Sequence, residues 1–320
     1  MTRETNPTTA IDSEADRRRG TLVGATAVLL WSTLAALTAL SGDIPPFQLL
    51  AMSFALAFLV GVALWIGEGR RVTPDSYSAA DAQMAVRKPA LWDRFRLPAA
   101  AWALGIYGLF GYHFAYFTAM RLAPPVEAGL INYLWPLLIV VFAGFLPGER
   151  LRGRQIAGAL LGFAGAALIV TRGRGIYVDP QYVPGYLFAV AAGVIWASYS
   201  VLSRRARSVP TSAVGAFCAA TAVLALLCHL ALEVTVRPSA VEWLAVIGLG
   251  LGPVGAAFYT WDYGVKRGNI QTLGALAYSI PLLSTALLVA LGLAEASWVL
   301  AAAAALITGG AALASWRGGT

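Results

Sequence analysis

Residues 129–140 read GLINYLWPLLIV. Asn132, Tyr133, Trp135 and Pro136 lie there inside an apolar run from about Pro124 to Leu146. A membrane crossing takes about 20 mostly apolar residues, and this run supplies them. A helix facing only lipid has no use for an amide or a proline. Proline lacks an N–H, so the carbonyl four residues earlier, that of Asn132, loses its helical donor. In hydrocarbon such a carbonyl is costly unless protein, water or a ligand faces it. The stretch therefore reads as a helix broken near the middle of a bilayer. The plainer alternative is a proline kink with packed aromatics.

Composition agrees with a lipid solvent. Apolar residues make up 58% of the chain and charged residues 12%, with a mean hydropathy of +0.69. A soluble domain carries roughly a quarter charged residues. Ten apolar stretches are long enough to span: 21–40, 47–66, 98–120, 124–146, 155–171, 185–203, 211–232, 243–264, 271–292 and 296–316. With the N-terminus in the cytoplasm, 19 of the 23 Lys and Arg fall on the inner side; Arg121, Arg172, Arg174 and Arg237 fall outside. This is the positive-inside bias, and it puts both termini in the cytoplasm. It also accounts for the net charge of +7 without a nucleic-acid partner. Residues 1–19 are expected to be a disordered tail and 67–97 a basic cytoplasmic loop. The apolar run after Arg17–Arg19 is too long for a signal peptide and reads as the first span. Cys218 and Cys228, ten residues apart on one span, are too far apart for a bridge.

The chain repeats itself. INYLWPLL (131–138) aligns with LAYSIPLL (276–283) at an offset of 145, which brings Tyr133 onto Tyr278 and Pro136 onto Pro281. GAALIVTRG (165–173) meets GAALASWRG (310–318) at the same offset. GTLVGATAVLLWS (20–32) and GYLFAVAAGVIWA (185–197) share Gly-x10-Trp, ending on Trp31 and Trp196. The expected fold is an all-α integral membrane protein of ten transmembrane helices in two five-helix repeats, 20–173 and 174–320. Five is odd, so the repeats are inverted. Inverted repeats are a transporter signature, with the substrate held near the midplane between them. The freed carbonyls of Asn132 and Ala277, with Tyr133, Trp135 and Tyr278 beside them, suit an ammonium group and an apolar side chain.

GLINYLWPLL (129–138), WDYGVKRGN (261–269) and AYSIPLLST (277–285) give the chain a resemblance that covers all ten spans. It resembles the ten-span branch of the drug/metabolite transporter superfamily, and within it the bacterial aromatic amino acid exporters. The resemblance implies a cavity lined by spans one to four and six to nine, with five and ten peripheral. It implies alternating-access export of amino acids, aromatic ones among them, across the inner membrane. The family's usual Asn after the span-eight Trp is Asp262 here, which leaves that position's role open.

The substrate-binding candidates are Trp31, His113, Asn132, Tyr133, Trp135, Pro136, Trp196, Tyr259, Tyr278 and Pro281. His113 lies inside span three, where an imidazole can bind substrate, exchange protons near neutral pH or simply bridge helices. Asp262 is the other candidate for proton coupling, although Lys266 four residues on is spaced to pair with it. No Lys or Arg sits deep in a span, which argues against an anionic substrate. The first span has no ionisable group, so acid-based cation export does not carry over. The sequence has no G-x4-G-K-[ST] loop, G-x-S-x-G elbow or H-E-x-x-H motif, and therefore points to no enzyme. No cofactor or metal is expected, and a monomer is. The alternative within the superfamily is export of other small metabolites or drugs. The glycine pairs Gly20/Gly24 and Gly158/Gly162 are read as close helix contacts.

Overall fold

Backbone polar groups have no water to bond in a bilayer, so the chain satisfies them within helices. The computed structural model describes residues 7–71, 91–147, 151–174, 179–290, 292 and 295–315, and among them every regular element is helical. In order these are α1 (Pro7–Trp31), α2 (Leu34–Leu40), α3 (Pro46–Arg71), α4 (Ala99–Ile106), α5 (Tyr112–Leu122), α6 (Pro125–Asn132) and α7 (Trp135–Ala143). Then come α8 (Gly153–Thr171), α9 (Val183–Arg205), α10 (Val214–Leu232) and α11 (Ala240–Leu251). The chain ends with α12 (Ala257–Arg267), α13 (Ile270–Ala277), α14 (Ser279–Ala290) and α15 (Trp298–Ser315). Short 3-10 turns, such as Leu91–Phe95, join some of them.

Eight stretches among the described residues are long and apolar enough to cross a membrane, and Trp298–Ala314 is a shorter apolar helix. The protein is a multi-pass membrane protein. The expected third span, 98–120, is helical from Ala99 to Leu122 but is not among the eight. Its tyrosines, His113 and glycines dilute its apolar character. The helix α1 starts at Pro7, inside the segment expected to be a disordered tail, and α3 runs on to Arg71. Proline suits a first helical turn, and the Ala, Glu and Arg that follow favour helix. Most of 67–97 lies outside the described residues.

The helix breaks have local causes. Ser32 and Thr33 turn their hydroxyls back onto the carbonyls of Leu29 and Leu30, where α1 gives way to α2. Pro136 and Pro281 each interrupt a helix four residues earlier, so α6 ends at Asn132 and α13 at Ala277. Two π-helical segments, Tyr107–Gly111 and Gly252–Ala256, interrupt the α4–α5 and α11–α12 helices. Both pairs of interruptions are separated by 145 residues, from 132 to 277 and from 107 to 252.

Long helices pack pairwise: α1 on α12, α3 on α10, α5 on α9, and α8 on α15. Glycines set the closest approaches. A Cβ on Gly24 would strike the main chain of Gly264, and one on Gly158 would strike that of Gly310. At one end of the bundle the buried carboxylate of Glu233 accepts the N–H groups of Phe47 and Gln48 at the start of α3. It also pairs with Arg121 at 2.8 Å and with His229 at 3.1 Å. One carboxylate thus joins α3, α5 and α10. Cys218 and Cys228 are free thiols.

Candidate functional site

A cavity of about 660 Å³ lies between the α3–α11 wall and the α6–α7 and α14 helices. Its lining runs from Ser41, Gly42, Ile44 and Pro46, in the α2–α3 turn, down to Trp31, Trp135, Trp196 and Phe258. Gly42 adopts φ +57° in that turn, a left-handed conformation open to glycine. The deep end is a floor of aromatic rings. Trp31 meets Trp196 at 5.7 Å, Trp135 at 6.2 Å and Trp261 at 5.1 Å between centroids. Hydrogen bonds fix the rings, since Trp31 Nε1 donates to the Pro253 carbonyl (2.9 Å) and Trp261 Nε1 to Ser200 Oγ (3.0 Å).

The π-helical segments bear directly on the site. A π turn displaces carbonyls from the regular ladder. The Pro253 carbonyl, within one segment, holds Trp31; the Leu109 carbonyl, within the other, lies 2.6 Å from His113 Nδ1. A carbonyl only accepts, so Nδ1 carries the proton and Nε2 of a neutral ring keeps its lone pair. His113 packs against Phe54 and Phe258, and Tyr112 stacks on Tyr116.

Asn132 is held by geometry as well. Its Nδ2 donates to the Tyr112 hydroxyl at 3.2 Å. Its Oδ1 is buried and has no partner. The main-chain oxygen of Asn132, freed by Pro136, lies against Gly193 of α9, so it is the side chain that offers the unpaired acceptor. Among the described residues, no Asp, Glu, Lys or Arg lines the cavity.

Of the residues expected to bind substrate, Trp31, His113, Asn132, Tyr133, Trp135, Trp196 and Pro281 line this cavity. Pro136, Tyr259 and Tyr278 do not. Pro136 is buried and its carbonyl abuts Gly274. The Tyr259 hydroxyl donates to the Ala57 carbonyl at 3.0 Å where α12 crosses α3. Tyr278 packs on Gly162 and Phe163 of α8, and its hydroxyl accepts the Leu137 N–H at 3.0 Å. That N–H would bond the Tyr133 carbonyl in an unbroken helix. Tyr278 thus repairs the break in its counterpart helix. Asp262 is buried off the cavity, paired with Lys266 (2.8 Å) and Thr211 (2.7 Å).

Tyr278→Phe leaves the Leu137 N–H buried without a partner, which costs about 1–3 kcal/mol. The expected result is a lower melting temperature with unchanged activity per folded molecule. Lost activity at an unchanged melting temperature would return Tyr278 to the site.

Leu49, Leu50 and Ser53 of α3 and Leu249 of α11 were not among the residues expected from sequence, and neither were the two π segments, one of which adds Val254 to the lining. The glycine-rich stretches GIYGLFG (105–111) and GLGPVG (250–255) are the signal that marks them. Among the described residues, none of α8, α10 or α15 lines the cavity, whereas the resemblance implied that only α8 and α15 would stand outside it.

The EamA-like transporter family matches residues 18–171 and 183–316. The chain belongs to that family. It is a transporter, not an enzyme. It is 51% identical over 300 residues to the aromatic amino acid exporter YddG of Ancylobacter novellus, covering 93% of this chain and 98% of that one. The protein of the same description in Escherichia coli is 25% identical, over 93% of this chain and 97% of its own. A solved crystal structure at 51% identity superposes with a TM-score of 0.84, over 93% of this chain and 98% of the other.

Proposed function

We propose that this transporter exports neutral amino acids, aromatic ones among them, by alternating access across a bacterial inner membrane. The observation that carries this reading is a ring-floored cavity without a charged side chain, holding one buried, unpaired amide oxygen at Asn132. An ammonium group finds an acceptor at Asn132 Oδ1 and at the lone pair of His113 Nε2. An apolar ring finds the aromatic floor. A net-neutral zwitterion fits such a site better than an anion or a free cation. The names of the relatives point to the same substrates.

The chain would cross the membrane ten times, with both termini in the cytoplasm, as two inverted five-helix halves, 20–173 and 174–320. Support comes from the family's match to two consecutive stretches and from helix interruptions that recur 145 residues apart, at 107 and 252. The charge bias then places the α2–α3 turn outside, so the cavity opens outward. The inner side is closed where Arg204 donates to the Val265 and Gly268 carbonyls and Asn269 N–H to Thr21 Oγ1. Rocking about the aromatic floor would expose the site to either side in turn. A single chain contains the whole cavity, which fits a monomer.

The test is flux of labelled tryptophan, tyrosine and phenylalanine into liposomes holding the purified protein. Saturable flux is expected, and flux of no amino acid overturns the reading. Repeating it across a pH gradient separates a passive facilitator, whose flux does not respond, from proton coupling at His113.

A further inference from the structure

A second buried polar atom without a partner belongs to a residue that lines the cavity. Ser53 of α3 is 1% exposed, lines the cavity, and its Oγ has no hydrogen-bond partner. Helical serines commonly turn back onto a carbonyl one turn earlier, as Ser198 and Ser200 do here. Ser53 does not. The neighbouring lining residues of α3 and α11, Leu49, Leu50 and Leu249, are apolar. Alanine would fill the same space without a stranded hydroxyl, as at Ala51 and Ala57 on the same helix.

Among the described buried orphans, only Asn132 Oδ1 and Ser53 Oγ belong to cavity residues. They sit on separate walls, since α3 packs on α10 and α11 whereas α6 packs on α8 and α9. A ligand whose amino group takes Asn132 and whose ring lies on the aromatic floor can present the polar group of that ring to the α3 wall, where Ser53 stands. A hydroxyl both donates and accepts, so it can pair with a phenol O–H or an indole N–H. A bare phenyl ring leaves it unpaired.

We propose that Ser53 is a specificity-determining residue that hydrogen-bonds the polar group on a substrate's aromatic ring, favouring tyrosine and tryptophan over phenylalanine. This rests on the amino acid export proposed above. A buried group that loses its partner penalises the analogue that cannot bond it.

The test compares wild type with Ser53→Ala in liposomes, with tyrosine, tryptophan and phenylalanine each below saturation. In the variant, tyrosine and tryptophan flux is expected to fall about fivefold relative to phenylalanine, as one neutral hydrogen bond allows. Phenylalanine flux is the reference for the ratio, and the variant's melting temperature, measured separately, reports that it is folded. A common factor for all three substrates, or no change in any, overturns the inference, because a merely structural serine cannot alter the ratio. Should Ser53→Ala lose all flux, Ser53→Cys, with its weak thiol donor, is read by the same ratio. If wild type moves none of the three, the export reading fails and takes this inference with it; if only the ratio stays fixed, export stands.

Discussion

Asn132→Leu is expected to cut flux of every amino acid substrate by roughly tenfold to a hundredfold without lowering the melting temperature. The amide oxygen is 6% exposed as part of its residue and unpaired, so in the empty transporter it is an unfavourable feature. Such an atom costs about 1–3 kcal/mol. Leucine has nearly the same volume and removes that cost, at the loss of the 3.2 Å bond to Tyr112. The two effects on folding roughly cancel. With substrate bound the balance changes, because an ammonium–amide hydrogen bond is charge-assisted and worth about 1.5–3 kcal/mol. Flux and thermal unfolding of the same preparation decide the matter. Normal flux in the variant would move the ammonium site to His113 Nε2 alone. Flux lost in step with folded protein would make Asn132 a packing residue.

The same residue marks how far the sequence could be read. Pro136 announced the break at Asn132, and its repetition at Pro281 announced the second, because a missing N–H acts on the backbone wherever the helix lies. Trp31 and Trp196 were legible through the repeated Gly-x10-Trp, and Trp135 through its place beside the break. Tyr278 was expected to bind substrate, whereas it lies off the cavity. Its helix is apolar on every side, and lipid is as apolar as a protein core, so the pattern does not say which face turns inward. Only packing against Gly162 reveals that Tyr278 faces α8. Ser53 was passed over for the same reason. Its significance is the absence of a partner, which no linear pattern encodes.

Lys266→Met is expected to destabilise the folded transporter most, by about 3–5 kcal/mol, since it leaves the Asp262 carboxylate buried beside Thr211 alone. Lys266 also donates to the Val209 carbonyl at 2.9 Å, so the pair fastens α12 to the α9–α10 connection. Adding Asp262→Leu removes the stranded charge, and the double variant should recover most of the lost melting temperature. Buried pairs are strongly non-additive in this way because the penalty belongs to the unpaired charge rather than to the bond. Single variants whose effects simply add, or a Lys266→Met protein as stable as wild type, would show the pair to be inessential. The double variant also addresses proton carriage. Asp262 does not line the cavity and its carboxylate is already committed to Lys266 and Thr211. Flux in the double variant should therefore answer an imposed pH gradient as wild type does. A response present in wild type and abolished with Asp262 would make that carboxylate a proton carrier, and the pair a gate that opens when the charge is neutralised.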